Sequence, residues 1–198
     1  MARPRSEEKQ QALLRAATEI FAEQGLAAST VTIARKASVS EGTLFHYFEN
    51  KDALIGAVGD YLLDEMENML ARSLASASPE TNKIQIGWNA YIDWALENPE
   101  AYATSNKLMV SGKLSEQQME RSMRIGEFTM PQLASIEGLD ATQSSEFHGM
   151  ISTVMANGVI DLAAQNLTLQ RPISAQAMRP CSGLSNLMAV YNCLFFSF

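Results

Sequence analysis

Cysteine, histidine and long apolar runs are the scarce features of this chain. Its 198 residues contain two cysteines, Cys181 and Cys193, both close to the C-terminal end. This pattern does not suggest a disulfide framework and suits a reducing cytoplasm. No uncharged apolar stretch of about 18 residues is suited to spanning a bilayer, and the first residues lack the apolar segment of a signal peptide. We therefore expect a cytoplasmic protein that has no membrane partner.

The same scarcity argues against catalysis and metal binding. His46 and His148 are the only histidines, and they lie far apart in sequence. The chain has no HExxH motif, no glycine-rich phosphate loop that ends in lysine, and no pair of cysteines with metal-ligand spacing. We predict that the protein is not an enzyme and that it has neither a cofactor nor a metal site.

Charge is distributed unevenly along the chain. The formal net charge is -7, yet residues 1–52 carry seven basic and seven acidic groups, so the whole deficit belongs to residues 53–198. An acidic body would repel phosphate, whereas a neutral segment with well-placed cations tolerates it. The imbalance is compatible with an N-terminal nucleic-acid-binding unit and also with ordinary surface charge.

Helical spacing runs through most of the sequence, and sustained strand-like alternation is absent. Apolar residues recur every three or four positions, and proline and glycine are scarce within these segments, which predicts an all-α fold. A first helix is expected from about Ser6 to Phe21. Ser115 followed by Gln118 is a capping box that opens another helix, and Pro131 would kink or divide that helix.

The segment Ser29–Lys51 has the pattern of a helix-turn-helix. Ser29 can cap a short helix that buries Ile33 and Ala34, and a break follows at residues 38–40. A second short helix, from about Glu41 to Tyr47, turns Leu44 and Phe48 inward. The side chains of Thr43, His46 and Tyr47 would then point outward, away from the core. Helices this short are not stable alone in water, so flanking helices must support them.

This segment resembles the TetR family of bacterial transcriptional regulators. The resemblance is carried by IARKASVS at 33–40, by EGTLFHYFENK at 41–51 and by Leu54. Two residues depart from the family pattern. Ser38 replaces a turn glycine, which predicts strain because glycine enters such turns freely. Phe45 replaces a tyrosine whose hydroxyl often reaches phosphate.

The resemblance implies a division into two domains. Residues 1–52 would be a helix-turn-helix DNA-binding domain, and residues 53–198 would be a larger helical domain for ligand binding and dimerisation. The implied DNA contacts are Arg3, Arg5, Ser29, Thr30, Arg35, Lys36, Ser40, Gly42, Thr43, Phe45, His46, Tyr47 and Lys51. Gly42 would allow the backbone to approach DNA, Thr43 would contact phosphate or a thymine methyl, and the cations would add salt-dependent affinity.

The aromatic residues and methionines of the body can form an adaptable apolar pocket or simply a core. By the resemblance, an inducer would bind at Trp88, Tyr91, Phe128, Ser152 and Met155. The run IGWNAYIDW at 86–94 is similar to that of enterobacterial family members that control multidrug-efflux activators. The implied inducer is therefore a small apolar or cationic aromatic molecule.

These patterns predict a homodimeric repressor that binds a palindromic DNA operator and is released by a small-molecule inducer. Two alternatives remain at this point. The protein could be an activator, or a helical carrier or partner-binding module without DNA binding, because Glu41 and Glu49 are acidic and Phe45 lacks a hydroxyl. The uncharged tail at 180–198 could be a dimer interface or an altered end.

Overall fold

Helices account for all the regular structure in the described part of the chain. The computed structural model describes residues 6–75, 83–129, 140, 150–151 and 153–162, and within them every regular element is α-helical. The named helices are α1 (Glu7–Gln24), α2 (Thr30–Lys36), α3 (Glu41–Tyr47), α4 (Lys51–Ala75), α5 (Lys83–Glu97), α6 (Pro99–Met109) and α7 (Glu116–Thr129). Residues 150–151 and 153–162 are also helical. The predicted all-α class is confirmed.

Local signals begin and end several of these helices as the sequence predicts. The capping box before α7 forms in both directions. The Gln118 backbone N–H donates to Ser115 Oγ at 3.2 Å, and the Ser115 backbone N–H donates to Gln118 Oε1 at 3.0 Å. Pro99 occupies the first turn of α6, where its missing N–H costs no helical hydrogen bond. α7 ends at Thr129, and Pro131 lies outside the described residues.

The described residues group into two compact units. The first unit contains the chain up to Glu65 together with Asn98–Ser122. It therefore includes α1, α2, α3, most of α4, α6 and the start of α7. Its core is made of side chains that are fully or almost fully buried: Leu13, Ala17, Phe21, Ile33, Leu44, Leu54, Val58 and Leu62. The predicted division at residue 52 stays a prediction.

Two polar contacts attach α6 to α1 inside the first unit. Thr104 Oγ1 donates to the backbone oxygen of Thr18 at 2.7 Å, and Thr104 is completely buried. Lys107 Nζ donates to the backbone oxygen of Ala22 at 2.9 Å. A buried hydroxyl without a partner would be costly, so the bond from Thr104 also sets where α6 lies along α1.

A row of polar contacts also joins α7 to α4 inside the first unit. Arg121 forms ion pairs with Asp60 at 3.4 Å and with Asp64 at 2.5 Å, and its side chain is only 16% exposed. One turn earlier, Gln118 Nε2 donates to the backbone oxygen of Gly56 at 2.7 Å. Tyr61 lies on the same helix as the two aspartates. Burial, followed by the charge of Glu65, raises its pKa to about 12.

The second unit contains Met66–Glu97 and the chain from Met123 onward. Its buried side chains include Met69, Leu70, Trp88, Ile92, Trp94, Ile125, Ala156, Val159 and Ile160. α5 and α7 approach each other closely at Gly87. A Cβ placed on Gly87 would overlap the backbone oxygen of Phe128. Glycine is therefore needed at this position because a larger residue would force the two backbones apart.

Several predicted features fall outside the described residues. They are Arg3, Arg5, Ser152 and the tail at 180–198. The predicted long helix at 142–167 is observed as helix only at 150–151 and 153–162.

Candidate nucleic-acid interface

The helix α2 is capped and oriented by residues that the sequence identifies. Ser29 Oγ accepts a hydrogen bond from the Val31 backbone N–H at 3.2 Å, which fixes the start of the helix. Ile33 and Ala34 are buried. Arg35 and Lys36 lie in the last turn on the exposed side. The helix therefore presents its cations to solvent while its apolar side supports the core.

The turn after α2 depends on an unusual backbone conformation at Ser38. Its φ is 57°, the only positive φ found at a described non-glycine residue. The Ser38 N–H donates to the backbone oxygen of Arg35 at 3.0 Å, and the Val39 N–H donates to that of Ala34 at 2.9 Å. This left-handed turn closes the C-terminal end of α2. The strain predicted for a serine in place of glycine is thus confirmed in the backbone, at a cost of about 1 kcal/mol.

The recognition helix α3 begins at a second serine cap. Ser40 Oγ accepts from the Thr43 backbone N–H at 3.1 Å and lies 2.9 Å from Thr43 Oγ1. Leu44 and Phe48 are buried, as predicted. A Cβ on Gly42 would meet nothing closer than 3.9 Å, so internal packing does not require a glycine there. The proposal that Gly42 lets DNA approach the backbone stays a prediction.

Large apolar side chains are exposed on both short helices. Phe45 on α3 is 42% exposed and Val31 on α2 is 44% exposed. His46 is also exposed. Isolated exposed apolar residues are common on protein surfaces, but in this unit they lie among the predicted DNA contacts. Sequence reasoning did not select Val31, although it stands next to Thr30 and opposite the buried side of α2.

Tyr47 connects the end of α3 to the start of α1. The Ser6 backbone N–H donates to the Tyr47 hydroxyl oxygen at 2.8 Å. Tyr47 is half-buried, and its ring meets that of His46 edge to face at 5.6 Å. The Ser6 side chain makes no capping hydrogen bond, so Tyr47 takes up one of the first N–H groups of the α1 end. The hydroxyl proton remains available for donation.

Thr30 and Glu41 connect the two helices of the motif. Thr30 Oγ1 donates to Glu41 Oε1 at 2.6 Å across the start of α2 and the start of α3. The proton of Thr30 is therefore committed to a carboxylate rather than offered to solvent. The sequence shows that residue 41 is acidic, but its pairing with Thr30 could not be predicted because it depends on how α2 and α3 cross.

The three described cations of the motif differ in exposure and in whether they are paired with a carboxylate. Lys36 pairs with Glu19 of α1 at 2.6 Å, and this hydrogen bond and the charge of Glu19 raise the pKa of Lys36 above its usual value. Arg35 is exposed. Lys51 is half-buried at the first position of α4, beside Asn50, whose Oδ1 accepts from the Ala53 N–H at 2.8 Å.

Most of the predicted ligand contacts lie in the second unit, and their side chains range from buried to exposed. Trp88 is 1% exposed on α5, and the half-buried Tyr91 stacks on Trp94 with ring centroids 6.2 Å apart. Phe128 on α7 is 38% exposed, and Met155 is half-buried. Ser152 lies outside the described residues, so the grouping of these five side chains into one pocket stays a prediction.

Among the described residues, no three His, Cys, Asp or Glu side chains come together as a metal site would require. In the same part of the chain, no helix is both long enough and apolar enough to cross a membrane.

Comparison with known proteins identifies the motif. The model of the family described as bacterial regulatory proteins, tetR family, matches residues 13–58. This interval runs from α1 through the first turns of α4. It contains both serine caps, the left-handed turn and the whole of α3.

Regulatory proteins with curated descriptions are similar over different lengths. An HTH-type transcriptional repressor of Mycobacterium tuberculosis is 43% identical over 74 residues, which is 37% of this chain and 37% of that protein. The chain thus matches little more than a third of that relative's length. The HTH-type transcriptional regulator UidR of Escherichia coli is 28% identical over 189 residues, covering 86% of this chain and 89% of UidR.

Solved structures share the fold. A TetR family transcription regulator from Marinobacter aquaeolei has a TM-score of 0.64 at 18% identity, over 80% of this chain and 85% of that one. A TetR-like transcriptional regulator from Rhodococcus sp. RHA1 has a TM-score of 0.61 at 16% identity, over 98% and 97% of the two chains. The narrower likeness to efflux regulators stays a prediction. Residues 13–58 thus match the TetR family of transcriptional regulators, curated transcriptional regulators are similar to the chain, and solved TetR-family structures share its fold.

Proposed function

We propose that this protein is a ligand-responsive repressor that binds a palindromic operator as a homodimer. The observation that carries the proposal is the geometry of α3. Its start is fixed by Ser40, its inner side is anchored by Leu44, and its outer side exposes Phe45 and His46. A short helix held in this way can enter the major groove by its N-terminal end.

The residues around α3 divide into two kinds of DNA contact. Arg35, Lys36 and Lys51 would contact phosphates, which adds affinity that falls with salt and does not depend on sequence. Residues of α3 itself would reach base edges and provide sequence preference. Binding to DNA would require Lys36 to exchange its carboxylate partner Glu19 for a phosphate, at little cost because both groups of the pair are exposed.

Dimerisation is proposed for the helical residues 150–151 and 153–162. Met150 and Val154 are 58% and 65% exposed, and their spacing of four residues would place them on the same side of the helix predicted at 142–167. Exposed apolar side chains at this spacing favour a helix partner. A two-fold dimer would place two copies of α3 against successive major grooves of a palindrome, about 34 Å apart.

The second unit would carry the inducer site. Trp88, Tyr91, Phe128, Ser152 and Met155 are the proposed contacts, and their aromatic faces suit a small apolar or cationic aromatic molecule. A ligand that binds better to a dimer with the wrong spacing of its α3 helices would shift the population away from DNA. Release would follow from this difference in affinity, without direct competition for the DNA surface.

A mobility-shift titration on the promoter DNA beside the protein's own gene tests the proposal. We expect a discrete complex that weakens as salt is raised and that does not form on a fragment of scrambled sequence. Absence of binding at any protein concentration in low salt would refute the DNA-binding function. Binding without release by any compound would refute the inducer function alone.

The ligand arm of the test uses intrinsic fluorescence. The chain has two tryptophans, Trp88 and Trp94. In a Trp94→Phe variant, Trp88 is the only tryptophan, so quenching of selectively excited tryptophan emission reports on its surroundings. A panel of cationic aromatic and neutral apolar compounds should contain a member that both quenches Trp88 and releases the DNA. Release of DNA without a change in Trp88 emission would contradict the proposed pocket.

A further inference from the structure

We infer that Glu41 determines operator specificity by accepting a hydrogen bond from a base amino group, and that Thr30 holds its carboxylate in place. The inference rests on the proposed function, because it assumes that α3 enters the major groove. It is carried by the 2.6 Å hydrogen bond from Thr30 Oγ1 to Glu41 Oε1.

Glu41 is exceptional within the motif. It is the only acidic residue between Ser29 and Tyr47, and it is the first residue of α3. A carboxylate near phosphates lowers affinity for every DNA sequence, so its presence needs a compensating interaction. Glu41 is also half-buried and bonded to α2, which restricts where its oxygens can lie.

The chemistry of a carboxylate limits what it can recognise. An ionised carboxylate only accepts hydrogen bonds, and the bond from Thr30 occupies Oε1 while Oε2 remains available. In the major groove, cytosine N4 and adenine N6 are the amino donors, whereas guanine O6 and N7 and thymine O4 are acceptors. A fixed carboxylate would therefore select cytosine or adenine and repel the acceptor groups of guanine and thymine.

Thr30 increases the discrimination between bases by restricting the rotation of the Glu41 side chain. A free glutamate side chain could turn away from a mismatched base and so would discriminate poorly. The hydrogen bond to Thr30 opposes that rotation, because turning away would break it. The pair therefore lowers affinity for non-cognate DNA as well as supporting binding to a matched site, and specificity is the difference between the two.

Selection of binding sites from random duplex DNA tests the inference. The wild type should enrich a palindrome in which one position of each half-site strongly favours cytosine or adenine. Glu41→Gln should reduce that preference by about tenfold or more, because the amide can also donate to guanine or thymine. The other positions of the half-site should keep their preferences.

Matched variants separate this role from general electrostatics and from folding. Glu49→Gln removes the same charge from an exposed residue just beyond α3, so it should strengthen binding to all DNA alike and leave every base preference unchanged. Thr30→Val keeps the branched shape but removes the donor, so it should weaken the preference at the same position as Glu41→Gln. Thr30→Ser keeps the donor and should retain the preference.

Two outcomes would overturn the inference in distinguishable ways. If the wild type enriches a palindrome and Glu41→Gln enriches the same palindrome with equal preference at every position, Glu41 does not read a base. If the wild type enriches no sequence at all, the proposed function fails and the inference falls with it. Circular dichroism of each variant ensures that any loss reflects DNA contact, since an unfolded variant would lose all preferences together.

Discussion

The close approach of α5 and α7 predicts that Gly87→Ala will be strongly destabilising. The added methyl group would overlap the backbone oxygen of Phe128 and would lie 2.8 Å from its carbonyl carbon and 3.3 Å from Leu70 Cδ1. Backbone atoms cannot move aside by changing rotamer, so the helices must separate. Overpacking of this kind costs about 1–3 kcal/mol or more, which outweighs the gain of about 1 kcal/mol from replacing a helical glycine by alanine.

Gly126→Ala is the matched control for this prediction. Gly126 lies on α7 in the same unit, and a Cβ there would meet no atom within 4 Å. It should therefore stabilise the protein by about 0.5–1 kcal/mol. The gain in helix propensity is shared by both variants, so urea denaturation followed by circular dichroism should separate them by the overpacking cost of about 1–3 kcal/mol, with Gly87→Ala the less stable. Equal stability of the two variants would refute the close approach.

Three further predictions concern the first unit. Ser38→Gly should raise stability over Ser38→Ala by about 0.5–1 kcal/mol in thermal unfolding, because only glycine adopts φ near 57° without strain; equal stability would contradict the turn. Arg121→Met should lower the free energy of unfolding in urea by about 1 kcal/mol, because it removes the ion pairs with Asp60 and Asp64. Lys113→Met removes an exposed pair and should lower it by less than about 0.5 kcal/mol. Equal losses of stability would argue against a structural role for Arg121. The raised pKa of Tyr61 means that folding favours its neutral form. Its contribution to stability should therefore be complete below pH about 10 and fall as the pH rises through about 12. Tyr61→Phe should lessen that fall, and an unchanged pH profile of stability would contradict the predicted role of Tyr61.

Short-range signals made most of the helical boundaries predictable. Ser29, Ser40 and the pair Ser115 and Gln118 each act within three residues, so their capping bonds follow from local sequence. The serine at position 38 was predictable as a strained turn for the same reason. In each case the interaction depends on the local chain rather than on how distant helices pack.

Contacts between distant residues could not be predicted in this way. Tyr47 was expected to face outward, yet its hydroxyl accepts from Ser6, 41 residues away. Tyr47 is three positions after the buried Leu44, so it lies beside the inner face of α3 and can reach α1. The bond from Thr30 to Glu41 likewise depends on the crossing of α2 and α3. Only the assembled structure reveals such partners.

Hydroxyl-radical footprinting of the promoter fragment shows whether two copies of α3 read a palindromic site. We expect two protected half-sites related by a dyad, with centres about 10 base pairs apart or a multiple of that spacing. Glu41→Gln should keep this footprint while tolerating a changed base in each half-site. Protection of a single half-site, or no protected segment in low salt, would show that the protein does not bind as a dimer with two α3 helices in the major groove.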